Sequence, residues 1–179
     1  MPPGPNSTLG EYSDVTLFEP VALDDLENPL VVQAVAYWRS LCRGRRFPAR
    51  SDLDSRALAP FQSHMILLKV IGDGEDFEYR FVGAVQAEAY ARTVQGKRMR
   101  AMAEETQAGP SVFAGYQYIQ RTGIPFALRG WAGKDYTAAN FQYCESVALP
   151  LGDSDDKVDH MVIFSAYVPR TIKPQTSAE

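Results

Sequence analysis

The feature that most limits how this chain can fold is a pair of strand-like runs, residues 64–71 and 76–83, separated by Gly72-Asp73-Gly74-Glu75. The second run alternates large apolar residues with charged ones and stops at a glycine, as a half-buried strand does. The four residues between the runs favour a tight turn, so the two runs predict an antiparallel hairpin. In the first run the residues on both faces are apolar. The sheet that contains it must therefore be covered on both sides.

The rest of the chain predicts helices around this hairpin and three further strands. Asn28 followed by Pro29 is typical of a helix start, and Gly44 is expected to end that helix after about Arg43. Further helices are expected at residues 51–58, 85–92 and 101–122, the last broken by Gly109-Pro110, and further strands at 126–132, 142–151 and 157–168. This order predicts an α+β fold with a five-stranded antiparallel sheet, in which the first strand lies centrally, beside the fifth. A helical flap would cover one face and the N-terminal helix the other.

Composition and charge limit the function classes. With 179 residues the chain suits one domain, expected at residues 28–168 between a flexible N-terminal segment (1–27) and a flexible tail (169–179). A net charge of −4 argues against a nucleic-acid or anionic-membrane surface. The sequence has neither an apolar run long enough to span a bilayer nor a secretory signal. Cys42 and Cys144 are too few and too far apart to suggest a disulfide framework, so we expect a cytoplasmic protein.

Three segments resemble those of a known family: Trp38…Gly44-Arg45…Pro48…Arg50…Asp52-Leu53-Asp54, Phe77-Glu78-Tyr79-Arg80-Phe81-Val82-Gly83 and Leu149-Pro150-Leu151-Gly152-Asp153. With the order of two strands, several helices and three strands, they are similar to the small single-domain bacterial PAS proteins. The resemblance covers residues 28–168. It implies a ligand-binding or protein-interaction module in signalling, with a signalling partner protein, often dimeric and without catalytic residues of its own.

The chain departs from two better-defined PAS types. A light-oxygen-voltage flavin domain carries an Asn-Cys-Arg-Phe-Leu run on a middle helix, whereas residues 84–122 contain no cysteine. A haem-binding PAS domain commonly uses a histidine on the helix before the third strand, whereas His64 and His160 both fall in predicted strands. The sequence therefore identifies no cofactor.

A ligand pocket is predicted between the helix at 111–121 and the strands at 126–132 and 142–151. Large aromatic residues and isolated polar groups occur together there. Tyr116 and Arg129 are expected to orient a small molecule, and Ile119, Phe126 and Leu128 to supply apolar contact. The alternative is a filled core at the same place.

The N-terminal helix carries an apolar stripe formed by Leu30, Ala34, Trp38 and Leu41. We expect this stripe to pack on the open face of the sheet or against the same helix of a second chain, which would make the protein a homodimer.

The sequence predicts neither a catalytic site nor a metal site. His160 follows several aspartates, but Gly152-Asp153-Ser154-Asp155-Asp156 is typical of a hairpin turn, so no metal site is predicted. Both cysteines are interpreted as packing residues. No Gly-x-Ser-x-Gly elbow occurs, and we expect no enzyme activity. Two alternatives stay open: a small-molecule-binding enzyme on a related α+β fold, and a filled-core adaptor without a ligand.

Overall fold

The computed structural model describes residues 15–90, 92–106, 108–136 and 139–170. These residues form six strands, β1 (Leu17–Val21), β2 (Met65–Ile71), β3 (Asp76–Val82), β4 (Phe126–Trp131), β5 (Phe141–Leu151) and β6 (His160–Pro169). They also form five α-helices, α1 (Pro29–Cys42), α2 (Ser55–Leu58), α3 (Ala84–Tyr90), α4 (Met99–Ala103) and α5 (Gly109–Thr122). Most of the flexible tail predicted at 169–179, and the first fourteen residues of the flexible segment predicted at 1–27, lie outside the described residues.

The strands make one antiparallel sheet in the order β1-β4-β5-β6-β2-β3. The α+β fold is confirmed, and β2 lies inside the sheet beside β6 as expected, although β5 and β6 hold the two middle positions. The sheet has one strand more than predicted. The additional strand, β1, lies within the segment expected to be flexible and pairs with β4 from Leu17↔Trp131 to Val21↔Ala127. Its Pro20 lacks a backbone donor, which an edge strand tolerates.

Side chains of the middle strands alternate between two covered faces. On β5, Ser146 faces α3, α4 and α5, whereas Val147 faces α1. The pairing Val147↔Phe164 continues this second face onto β6, where Phe164 contacts Phe61 with ring centroids 5.8 Å apart. The helices α3–α5 thus cover one face and α1 the other, as the two-sided apolar pattern predicted. No helix in the described part of the chain is long and apolar enough to cross a bilayer.

Helix α1 is fixed at its start and along its buried stripe. The Asn28 Oδ1 accepts hydrogen bonds from the backbone N–H groups of Leu30 (3.0 Å) and Val31 (3.4 Å), as an N-cap does. Trp38 is buried, and its Nε1 donates to the Pro150 carbonyl of β5 at 3.0 Å. The helix ends in a left-handed residue, Arg43, at φ 49°.

A buried carboxylate joins the entry of α1 to the middle of the sheet. The Glu145 Oε1 accepts hydrogen bonds from the backbone N–H groups of Glu27 (3.0 Å) and Asn28 (2.7 Å). Charged acceptors make stronger hydrogen bonds than neutral ones, which compensates for burying the carboxylate. Glu145 and Ser146 are neighbours on β5 that face opposite sides of the sheet.

Candidate functional site

A cavity of about 140 Å³ lies between α3, α4 and α5 and the sheet face that they cover. Its apolar wall includes Ile66, Val82, Met99, Met102, Val112 and Ile163. Its polar groups are Tyr79, Gln86, Tyr90, Arg92, Thr106, Tyr116, Tyr136, Ser146, Ser165 and Tyr167. An apolar wall with a few directed polar groups is typical of small-molecule sites.

One set of these polar side chains forms hydrogen bonds within the protein, either with one another or with the backbone. Ser146 and Ser165 face each other on β5 and β6, with their Oγ atoms 2.7 Å apart. The buried Gln86 of α3 donates from Nε2 to the His64 carbonyl at 2.7 Å and accepts at Oε1 from the Tyr167 hydroxyl at 2.5 Å. These hydrogen bonds offset the free-energy cost of burying the polar groups, so this arrangement is stable without a ligand.

A second set of polar side chains in the lining lacks such hydrogen bonds. Tyr79 of β3 and Tyr116 of α5 line the cavity, and neither hydroxyl has a hydrogen-bond partner in the part of the chain that the structure describes. Arg92 is near enough to Tyr79 to influence its ionisation, and it forms an ion pair with Glu105. This second group presents hydrogen-bond donors to the cavity.

The tyrosines of the lining remain protonated at neutral pH. Burial raises the pKa of Tyr116, with a smaller contribution from Tyr79, and burial is also the main cause of the raised pKa of Tyr90 and Tyr167. Each hydroxyl can therefore donate a hydrogen bond, and none supplies a base near neutral pH.

Of the five predicted ligand-binding residues, the structure places one, Tyr116, in the cavity wall. Ile119 is fully buried in the main core, Phe126 packs against that core, and Leu128 packs against a second apolar cluster that contains Phe141. Those three residues lie outside the cavity lining.

Arg129 points to the opposite side of the sheet, so it cannot orient a molecule in this cavity. It pairs across the strands with Glu145 and shares its face. Its guanidinium contacts Glu19 (3.4 Å) and Glu27 (3.1 Å) near the start of α1. The reason is the two-residue period of a strand: Leu128 and Arg129 are adjacent and cannot both face the flap.

The predicted position of the pocket differs from the observed one because Ile119 of α5 and Phe126 of β4 pack into the main apolar core and do not line open space. Phe77 is fully buried, and its ring contacts those of Phe113 and Tyr116 at centroid distances of 5.5 and 5.9 Å. The open space lies instead beneath α3 and α4. Sequence reasoning missed Ser146 and Ser165, although the signal was available: both place a hydroxyl within a largely apolar run of a middle strand.

The apolar stripe of α1 packs within the chain. Ala34 and Trp38 are buried against the sheet, whereas Leu30 and Leu41 are half-buried. The stripe is thus used for packing on the chain's own sheet.

The two cysteine thiols and His160 have surroundings typical of structural residues. Burial raises the pKa of the Cys144 thiol to about 12, and burial also raises that of Cys42 against the opposing effects of Arg45 and Arg39. His160 Nδ1 lies 2.7 Å from the carboxylate of Asp159. Within the described residues no three or more His, Cys, Asp or Glu side chains come together in a way that could hold a metal ion.

A family model described as a PAS domain matches residues 27–160, which include every described element except β1 and most of β6. A search of curated proteins finds no match.

Proposed function

Because the chain belongs to the PAS domain family, we propose that it is a signalling sensor that binds a small molecule in the cavity beneath α3, α4 and α5. As a PAS domain it is a sensory or protein-interaction module. The observation that carries the ligand-binding proposal is the cavity of about 140 Å³, with serine hydroxyls at the middle of the sheet. A cavity of roughly 150 Å³ is large enough to admit a benzene-sized molecule.

Binding rather than turnover is the activity that this lining favours. General acid–base catalysis works best with a group whose pKa lies near the working pH. The tyrosines of the lining have raised pKa values, so they stay protonated at neutral pH, and the described lining contains no His, Asp or Glu side chain. Such groups position a ligand without exchanging protons with it.

Ligand occupancy would be transmitted to a partner protein. A ligand shifts a conformational equilibrium only by as much as it binds one state better than the other. The cavity-facing Ser146 is the neighbour of Glu145, which holds the start of α1 on the opposite face. A small shift of β5 on binding would reach α1 through this contact, and α1 would present the change to the partner. We also propose a cytoplasmic setting, because the free thiols of Cys42 and Cys144 suit a reducing compartment.

Homodimer formation remains part of the proposal. Because the stripe on α1 is used within the chain, a second copy would have to bind elsewhere. The outer edge of β1 pairs with no other strand in the described part of the chain, and Leu17 on it is 60% exposed. It is a suitable surface, since an unpaired strand edge offers backbone hydrogen bonds to a second strand. Light scattering after gel filtration measures this directly: Leu17→Lys should convert a dimer into a monomer, and Val32→Lys on the exposed side of α1 should leave it dimeric.

The test of ligand binding is native mass spectrometry of the purified protein, followed by a thermal-shift screen of small metabolites. We expect a bound small molecule or a compound that raises the melting temperature, because binding the folded state alone stabilises it. Val112→Trp should fill the cavity and abolish both signals. Val32→Trp is the matched control, because Val32 is exposed on α1 and lies outside the cavity.

A protein that carries no bound mass and shifts with no compound would support the remaining alternative, an adaptor whose cavity holds only water.

A further inference from the structure

We propose that the molecule bound in this cavity is a small organic monocarboxylate with a single ring or a short branched chain. Its carboxylate would be bound by Tyr79, Tyr116 and Arg92, which all line the cavity. This inference rests on the proposed function, since it names the chemical class of ligand for the same cavity.

The orientation of the ligand follows from which polar groups of the lining lack hydrogen-bond partners. Gln86, Tyr167, Ser146 and Ser165 already bond to one another or to the backbone. A ligand that bonded there would have to break existing bonds. The hydroxyls of Tyr79 and Tyr116, by contrast, have no partner within the described residues, and both side chains are half-buried. Donors without a protein acceptor are free to bond a ligand, so they favour a ligand atom that accepts hydrogen bonds.

The charge of the ligand follows from Arg92. It is the one ionised side chain among the described residues that line the cavity. Its partner Glu105 is not part of the lining and has a side chain that is 56% exposed, so solvent screens that ion pair. A guanidinium binds a carboxylate through two parallel hydrogen bonds. An amine, by contrast, would meet a positive charge and no carboxylate in this lining.

The size of the ligand follows from the volume and the apolar wall. A space of about 140 Å³ admits a ring of benzene size with one small substituent. Met99, Val112 and Ile163 lie on the wall and suit the ring or the branched chain. Methionine adapts to rings of different shape and makes favourable sulfur–aromatic contacts.

Three probes of equal size and different charge test this inference: benzoate, benzamide and benzylamine. Affinity is measured by isothermal calorimetry at neutral pH with the purified full chain. We expect benzoate to bind at least about tenfold more tightly than benzamide, since hydrogen bonds to a charged group are stronger than neutral ones. Benzylamine should bind most weakly. Raising the salt concentration should weaken benzoate binding and leave benzamide unaffected.

Two variants with matched controls locate the carboxylate. Arg92→Gln should reduce the preference for benzoate over benzamide to less than about threefold, whereas Arg80→Gln, an exposed arginine of β3 that pairs with Glu78, should not change it. Tyr116→Phe should weaken benzoate binding by about fivefold or more. Tyr118→Phe, on the exposed side of the same helix, should have no effect.

The outcomes separate this inference from the function on which it rests. If benzamide or benzylamine binds the wild-type protein as tightly as benzoate, the ligand is not a carboxylate, although the cavity remains a binding site. If none of the probes binds while native mass spectrometry detects another small molecule that Val112→Trp excludes, the inference alone fails. If no small molecule of any kind binds, both fail. The comparison of the three probes on the wild-type protein does not depend on whether a variant folds.

Discussion

The free energy of unfolding lost on substitution of Trp38 shows how strongly α1 is held against the sheet. The side chain is 5% exposed, and its indole N–H donates to the Pro150 carbonyl of β5. Trp38→Ala would remove the whole ring from a packed interface and leave that carbonyl without this donor. Loss of a buried large aromatic costs roughly 3–5 kcal/mol of unfolding free energy. This is a large share of the roughly 5–15 kcal/mol typical of a domain.

A second substitution separates the two contributions. Trp38→Phe keeps much of the apolar contact but removes the N–H, and we expect it to cost about 1–3 kcal/mol. Val32→Ala is the control on the same helix. Val32 is 41% exposed, so its loss should change the free energy of unfolding by about 0.5 kcal/mol or less.

Urea denaturation followed by circular dichroism gives the three free energies of unfolding, and size-exclusion chromatography checks that the oligomeric state is unchanged. The midpoint should fall while the denaturant slope stays constant, because the same surface is exposed on unfolding. A loss below about 1 kcal/mol for Trp38→Ala would show that α1 is peripheral to the fold. Equal losses for Trp38→Ala and Trp38→Phe would instead assign the whole effect to the hydrogen bond.

Three further predictions concern other parts of the fold. Asn28→Ala should lower the free energy of unfolding by about 1 kcal/mol, because the cap of α1 is lost; urea denaturation measures it. Gly130→Ala should remove the hydrogen-exchange protection of β1, because its φ is 152° and a Cβ there would lie 1.9 Å from the Leu17 carbonyl oxygen; unchanged protection of β1 would contradict this pairing. The Cys144 thiol should not react with a thiol reagent at pH 8 in the folded protein, since its pKa of about 12 keeps it protonated below that value; it should react in urea, where the pKa returns to its ordinary range.

Those parts of the fold could be predicted from sequence whose secondary structure is set by the local pattern of side chains. The hairpin of β2 and β3 and the start of α1 followed from alternation, a turn and a capping residue within a few positions of one another. β1 could not be predicted in this way. Its five residues include Glu19 and Pro20, which disfavour a strand locally, and it exists because β4 offers an unpaired edge.

The cavity was harder to predict than the sheet. Tyr116 was predicted to line a pocket and lies in the cavity wall, but its neighbours depend on which aromatic rings fill the core. Phe77 occupies the space beside α5, and that choice is made by packing across elements far apart in sequence. The direction of Arg129 was available from the two-residue period of its strand. The position of the open space beneath α3 and α4 was not, because it depends on volumes that only the assembled core determines.

The place of β2 in the sheet has a consequence for biosynthesis. β2 ends at Ile71, but its partner β6 begins at His160, so the ribosome makes most of the chain before that side of β2 can pair. Until then the hairpin of β2 and β3 exposes an apolar strand edge, the kind of surface through which nascent chains aggregate. Pairing across such a long loop also slows folding. The risk of aggregation should therefore be highest while residues 72–160 are being synthesised, and chaperones that bind extended apolar segments should protect the chain most at residues 65–71.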